Sequence, residues 1–374
     1  MSRARGFSLV EMMVSIVMAM IVTTAVLAVF VASRQSFNST SGTAALADGG
    51  RFALDFIQNS VRSAGYMACN TTQRQISILQ TAPSPMVANF TQAMGGYEAH
   101  NTSPGGAFTL ASSPVTPDST TSDWASPSGV APAGLDAALA SKVIKNNDVL
   151  VVYSTLRNAQ SSYVTAITNG ASSFTVNAAG SLANGQLATI SDCAKSVVLW
   201  ITSVSGNTVN FGSGGWPNNS VSSFPVTFGI GSQVTPVDAT VFYIGQGADG
   251  DGALFSLDLN AGTNSPAGSF TATELVPDIE AMQVLYGLDT TGSQTVSEYV
   301  TADNVVNTLS SPPTSFNNVL SVKVAVLAAS QPGALPKAAV ASTYNLLGTT
   351  VTAPADNRAR QVFELTIGLR NLAP

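Results

Sequence analysis

The chain has 374 residues, and only 10% of them are charged, against about 25% in a typical soluble protein. Its 82 Ser and Thr residues predict a polar but uncharged surface, and its net charge of −6 argues against nucleic acid as a partner. The single His, His100, and two Cys leave few ligands or nucleophiles for catalysis, so the composition predicts neither an enzyme nor a cofactor.

The N-terminus predicts a membrane span. Arg3 and Arg5 precede Phe7–Ala32, a run that is apolar apart from five residues. As a helix, this run would be about 39 Å long, which is enough to cross a bilayer core of about 30 Å. The basic residues before the run place the N-terminus in the cytoplasm. The run is too long for an ordinary secretory signal, and no small-residue cleavage pattern follows it.

Glu11 is a carboxylate only five residues into this apolar run. Burying a charge in a membrane is costly, so an intramembrane carboxylate predicts a function. A position close enough to the cytoplasmic interface for the side chain to reach water explains Glu11 equally well. The residue alone leaves both interpretations open.

Helical spacing of apolar residues continues from Ala53 to Ala64. It predicts one long helix over residues 7–65, with 7–32 in the membrane and the second half packed on a globular head. We expect the helix to be loosened at Gly42 or at Gly49-Gly50, because Gly costs about 1 kcal/mol relative to Ala in a helix. Gly65 is the predicted terminator.

From Tyr66 onward, short β-like runs alternate with turn residues, which predicts a β-rich head over residues 66–374 and an α+β fold. A split of the head near residues 100–145 remains an alternative. Three long Gly/Ser/Thr/Pro segments are predicted to be loops: Ala82–Asp136, Asn158–Gly170 and Gly212–Phe224. The predicted strands are Val149–Ser154, Ser173–Val176, Ala188–Ile190, Ser196–Val204, Thr208–Phe211, Ala239–Ile244, Ala281–Tyr286, Leu320–Leu327 and Gln361–Leu369.

The head lies outside the cytoplasm in this topology, in a compartment where disulfides persist. Cys69 and Cys193 therefore predict a disulfide between the end of the long helix and a strand 124 positions away. Two free buried thiols are the alternative.

Two acidic clusters are candidate calcium ligands. Asp249 and Asp251, with Asp258 later, form the first, and Asp289 with Glu298 forms the second. Neither has the full spacing of a calcium loop, and a solvated turn explains Asp-Gly-Asp-Gly equally well. No metal site is predicted, and Asp249 and Asp251 are kept only as candidates.

The N-terminal residues carry a specific resemblance. Arg-x-Arg-Gly6 followed by Phe7-Ser-Leu-Val-Glu11 resembles the class III signal of type IV prepilins and pseudopilins. The resemblance implies that a membrane-embedded prepilin peptidase cuts between Gly6 and Phe7 and so removes residues 1–6 as a leader. The same enzyme then methylates the new N-terminus at Phe7. Glu11 then becomes the fifth residue of the mature chain. In a filament core, its carboxylate would pair with the α-amino group of a neighbour, so that neither charge is buried alone.

Further along, the chain resembles PilW-type minor pilins of type IV pili. The blocks that carry this resemblance are Ser63–Cys69, Ser191-Asp-Cys193, Ser232-Gln-Val followed by Thr240–Ile244, Glu274–Asp289, Glu298–Ala302, Asn318–Ala328 and Arg360–Asn371. The resemblance implies a pilin-like fold and a structural role in priming and assembly of the pilus, and hence in adhesion, twitching motility or DNA uptake. The implied partners are other minor and major pilins, a pilus tip adhesin, the prepilin peptidase and the inner membrane. The chain would lie first in the inner membrane and then in the cell-surface pilus.

Two other functions are kept as alternatives. A minor pseudopilin of a type II secretion system has the same kind of N-terminus. The other alternative is a surface module whose Ser/Thr-rich loops bind ligand or DNA. DNA binding is disfavoured because residues 158–322 contain one basic residue and eleven acidic ones, which would repel phosphate.

Overall fold

The fold is seen in a computed structural model that describes residues 8–69, 75–80, 86, 89–127, 134–156, 158–214, 218–258, 270–305, 316–335 and 340–371. One helix, α1 (Leu9–Ser63), runs without a break through 55 residues. It is followed by a head in which strands and loops alternate. The predicted α+β fold, with a long N-terminal helix on a β-rich head, is confirmed.

The strands of the described residues, numbered in chain order, are β1 (Gln75–Ser77), β2 (Met94–Ala99), β3 (Ala107–Thr109), β4 (Trp124–Ala125), β5 (Val149–Thr155), β6 (Ser162–Ile167), β7 (Ser173–Val176), β8 (Leu187–Ser191), β9 (Ser196–Trp200), β10 (Ser203–Ser205), β11 (Thr208–Asn210), β12 (Gln233–Gln246), β13 (Gly252–Asp258), β14 (Thr271–Pro277), β15 (Ile279–Leu288), β16 (Glu298–Val300), β17 (Val319–Ala329), β18 (Ser342–Leu346), β19 (Thr349–Ala353) and β20 (Arg360–Gly368). Short 3-10 helices lie at Thr121–Asp123, Ala137–Leu139, Ala302–Asn304 and Phe316–Asn318.

Three sheets form the head. The largest has 13 strands and is organised around β12, whose 14 residues pair with β5, β6, β8 and β13. The second is antiparallel with the order β16-β15-β17-β20, and the third joins β18, β19 and β3. Because β14 pairs only with β13 among the described strands, it forms an edge of the largest sheet beside α1.

The second half of α1 packs on β17 and β20 of the four-stranded sheet. Its buried face consists of residues at helical spacing, including Leu46, Ala53, Ile57 and Val61. They belong to one core cluster with the inward side chains of the sheet, such as Val324. Burial of apolar surface at about 25 cal/mol per Å² is the main stabilisation of this junction.

The structure corrects three of the sequence predictions. The helix is not interrupted at its glycines; instead, the ring of Phe363 packs against Gly50 so closely that no Cβ would fit there. Strands β2, β3 and β4 lie within the predicted loop Ala82–Asp136, and β6 lies within Asn158–Gly170. The predicted strand Ser196–Val204 is divided into β9 and β10, because the chain leaves the first ladder after Trp200.

Candidate functional site

The first half of α1 is an apolar surface that the chain itself does not cover. Every residue from Ser8 to Arg34 is exposed. The helix contains an 18-residue window with a mean hydropathy of 2.7, none of which is buried, and it is long and apolar enough to cross a membrane. We call residues 9–33 the stem. An apolar surface of this size needs a bilayer or apolar partners.

Glu11 lies in the first turn of this stem, where its Oε2 accepts a hydrogen bond from the backbone N–H of Ser8 at 3.0 Å. A carboxylate in the first turn of a helix is stabilised by the positive end of the helix dipole. The other residues of the predicted processing site, Gly6 and Phe7, lie outside the described residues.

The structure brings Cys69 and Cys193 together in a disulfide, with their Cα atoms 4.8 Å apart. The bond joins the chain just beyond α1 to the turn between β8 and β9. In the chain-entropy model, a loop of this length contributes about 4–5 kcal/mol to stability. Nearby, the Asn371 side chain donates a hydrogen bond to the Ala64 carbonyl at 3.0 Å, and the Gly65 N–H donates to Tyr153. These contacts fix the end of α1 to the head.

The first candidate metal cluster forms part of an ion-pair network. Carboxylate oxygens of Asp249, Asp251 and Asp278 lie within 4.8 Å of one another. The buried guanidinium of Arg358 lies against two of them, with Nη1 2.7 Å from Asp251 and Nη2 2.5 Å from Asp278. Its Nε donates to the Ser330 carbonyl at 2.7 Å. Removing Arg358 would leave two carboxylates uncompensated, so the arrangement stabilises the head through an ion pair.

A second arginine extends this network. Arg360 pairs with Glu280 at 2.5 Å and with Asp356 at 2.6 Å. The two arginines thus connect the β12–β13 turn, the start of β15 and the segment before β20. These contacts do not test whether the candidate residues Asp249 and Asp251 bind calcium.

The second acidic pair lies where β15 ends and β16 begins. Asp289 accepts hydrogen bonds from the backbone N–H groups of Thr291, Gly292, Ser293 and Gln294. Burial works against ionisation of Asp289, but these N–H groups outweigh it and lower the pKa of the carboxyl. Asp289 therefore closes its own loop, while Glu298 is exposed on β16.

Sequence reasoning missed a buried acidic group at the centre of the head. Glu98 is 4% exposed, and its Oε1 accepts a hydrogen bond from Thr102. Burial, together with the neighbouring carboxylates of Asp148 and Asp303, raises the pKa of Glu98 to about 10. Asp148 accepts hydrogen bonds from the backbone N–H groups of Ala99 and Val284. No sequence signal marks Glu98, because its burial depends on strands distant in the chain.

His100 lies in the turn after β2 and is exposed. Its backbone N–H donates to the Asp123 carbonyl at 2.9 Å.

Comparison with known proteins adds two family matches. Residues 1–27 match the prokaryotic N-terminal methylation motif, and residues 241–371 match the type IV pilus-assembly protein W family, PilW. The second match begins in β12 and ends after β20, so it covers the sheet that packs on α1. Among solved structures, a type IV-like pilin from Thermus thermophilus aligns with a TM-score of 0.25 and 19% identity, over 51% of this chain and 86% of that one. No curated protein matches the chain.

Proposed function

We propose that this chain, with its prepilin-like N-terminus and its match to the PilW family, is a minor pilin that takes part in the priming and assembly of type IV pili. In this proposal, a prepilin peptidase cuts between Gly6 and Phe7, and Phe7 is N-methylated. The stem holds the mature chain in the inner membrane, with its N-terminus on the cytoplasmic side, until it enters the pilus. The role is structural, and it supports adhesion, twitching motility or DNA uptake through the pilus.

The observation that carries this proposal is an exposed apolar stem with one carboxylate, Glu11, in its first turn. A carboxylate buried in a membrane or in a filament core is costly unless a positive charge pairs with it. In a filament, the Glu11 carboxylate would pair with the α-amino group of a neighbouring subunit and fix the register between the two stems. Other minor pilins, the major pilin and a tip adhesin are the proposed partners.

Substitution of Glu11 tests this role. We expect Glu11→Leu or Glu11→Ala to reduce incorporation into filaments about tenfold or more, because the amine of the neighbour would lose its partner. Cleavage should be largely unchanged. Ser15→Ala, one helical turn further on, is the matched control and should assemble normally. Incorporation is measured as the ratio of chain in sheared filaments to chain in membranes at native expression. Normal incorporation of the Glu11 variants would contradict the register argument.

A further inference from the structure

A pocket of about 490 Å³ lies within the β-rich head. Its lining comes mainly from three segments: residues 108–116 at the end of β3 and beyond it, residues 144–147 before β5, and residues 354–360 up to the start of β20. No residue of α1 is among the described residues that line it. The volume lies in the range of about 300–1,000 Å³ that is typical of sites for small ligands. We call this cavity the head pocket.

One part of the lining is apolar. It consists of Phe108, Leu110, Val115, Ile144 and Pro354. Phe108 and Leu110 are half-buried, so each keeps apolar surface that a ligand can cover. Covering such surface contributes about 25 cal/mol per Å² to binding. The pocket therefore favours a ligand that has an apolar face.

The charged side chains of the lining favour a neutral ligand. They are three cations and three carboxylates: Lys145, Arg358, Arg360, Asp251, Glu280 and Asp356. Each of the three cations is already in an ion pair, at 2.5–2.7 Å. An anionic ligand would therefore find no free cation among them, and a cationic ligand would have to displace an arginine from its carboxylates.

The same ion pairs leave hydrogen-bonding capacity for a neutral ligand. A carboxylate accepts about four hydrogen bonds, and the described side-chain bonds of Glu280 are two, both from Arg360. The Asp356 side chain is 29% exposed. The Lys145 side chain is 58% exposed and has N–H donors beyond the one that Asp123 accepts. Hydroxyl groups donate and accept, so they can bond to both kinds of charged group, and such bonds are stronger than neutral ones.

A ring that is apolar on one face and carries hydroxyls around its edge meets both requirements, and this is the chemistry of a pyranose sugar. We propose that the head pocket binds a neutral carbohydrate, with a sugar ring against Phe108 and hydroxyls bonded to Glu280, Asp356 and Lys145. The inference goes beyond the proposed function, because it concerns the head alone and does not depend on entry into a filament.

A glycan array tests the inference with the full chain in a detergent that has no sugar headgroup. EDTA is present throughout, so that a metal ion cannot hold the ligand. The array carries neutral host-type glycans, neutral bacterial polysaccharides and sialylated glycans. We expect binding to neutral glycans, and the neutral set that binds identifies the source of the ligand. Isothermal titration then measures the dissociation constant of the best neutral glycan for the wild type and the variants.

Ala111→Trp is the main variant, because Ala111 is exposed and lines the pocket. We expect it to weaken binding about tenfold or more, since the indole occupies space that the ligand needs. Ala107→Trp is the matched control, because Ala107 is also exposed but is not among the described lining residues. Lys145→Gln removes an exposed ammonium and should weaken binding about threefold or more, through the loss of charge-assisted hydrogen bonds. Thermal unfolding checks that each variant is folded.

Three results would overturn the inference: no binding to any neutral glycan, tighter binding to sialylated than to neutral glycans, or equal affinities of the Ala111→Trp and Ala107→Trp variants. If Ala111→Trp does not fold, an unchanged affinity of Lys145→Gln overturns it instead. Sheared filaments report separately on the proposed function. A chain that is present in filaments but binds no neutral glycan refutes only the pocket inference, and a chain that binds the glycan but is absent from filaments refutes only the proposed function.

Discussion

Glu98 shows how one buried carboxyl makes stability depend on pH. Burial raises its pKa from the ordinary value of 4.5 to about 10, so the folded state keeps a proton that the unfolded state loses. The free energy of unfolding therefore falls as the pH rises from about 4.5 toward about 10.

We predict that Glu98→Gln stabilises the protein by about 1–3 kcal/mol near pH 9, since an amide of similar shape removes the cost of ionising a buried group. The difference should shrink toward pH 5. Denaturant unfolding of the full chain in detergent at a series of pH values measures it. Glu364→Gln, on the exposed side of β20, is the control and should leave the pH dependence unchanged. A parallel pH dependence in wild type and Glu98→Gln would contradict the assignment.

At the scale of elements, the junction between α1 and the four-stranded sheet depends on one glycine. The Phe363 ring of β20 occupies the space that a Cβ of Gly50 would need. At Gly49, by contrast, an added Cβ would make an ordinary contact at 3.6 Å with Val276. Adjacent glycines in one helix thus have opposite expected responses to the same substitution.

We predict that Gly50→Ala destabilises the protein by about 1–3 kcal/mol, because the ring of Phe363 has to move in a packed core. Gly49→Ala should be neutral or stabilise it by up to about 1 kcal/mol through helix propensity. Thermal unfolding of both variants in detergent is the measurement. Equal midpoints for the two variants would show that the close contact at Gly50 does not determine the packing.

The same contacts explain which elements the sequence could predict. Strands β5, β15 and β17 are rich in apolar residues, and the predicted bounds agree with the observed ones to within two residues, because their burial is visible in the sequence pattern. The sequence of strand β2 predicts a turn, because it contains Gly95-Gly96. In the structure, Gly96 instead leaves space for the Tyr286 hydroxyl, which a Cβ would displace. A glycine that allows close packing and a glycine that breaks an element look identical in one sequence.

For the candidate site, the sequence carried local signals only. Glu11, the stem and the cysteine pair could be recognised from residues close together in the chain or from composition. The Arg358 network could not, because its partners Asp278 and Asp251 lie 80 and 107 positions away in the sequence.

At the scale of the whole molecule, the structure combines an uncovered apolar stem with a rigidly attached head. The Cys69–Cys193 disulfide and the contacts of Ala64 and Gly65 fix the helix end. Because the end of α1 has no flexible joint to the head, a force on the stem or a change in its register is transmitted to the head. This is the mechanical property that a filament subunit needs.

The most direct test of the account is the intact mass and N-terminal sequence of the chain from sheared surface filaments and from membranes of the same cells. The account predicts a chain that begins at N-methylated Phe7 and is present in the sheared fraction. A processed chain confined to membranes would favour the pseudopilin alternative. A chain that still begins at Met1 in both fractions would contradict the proposed processing and, with it, the assignment as a pilin.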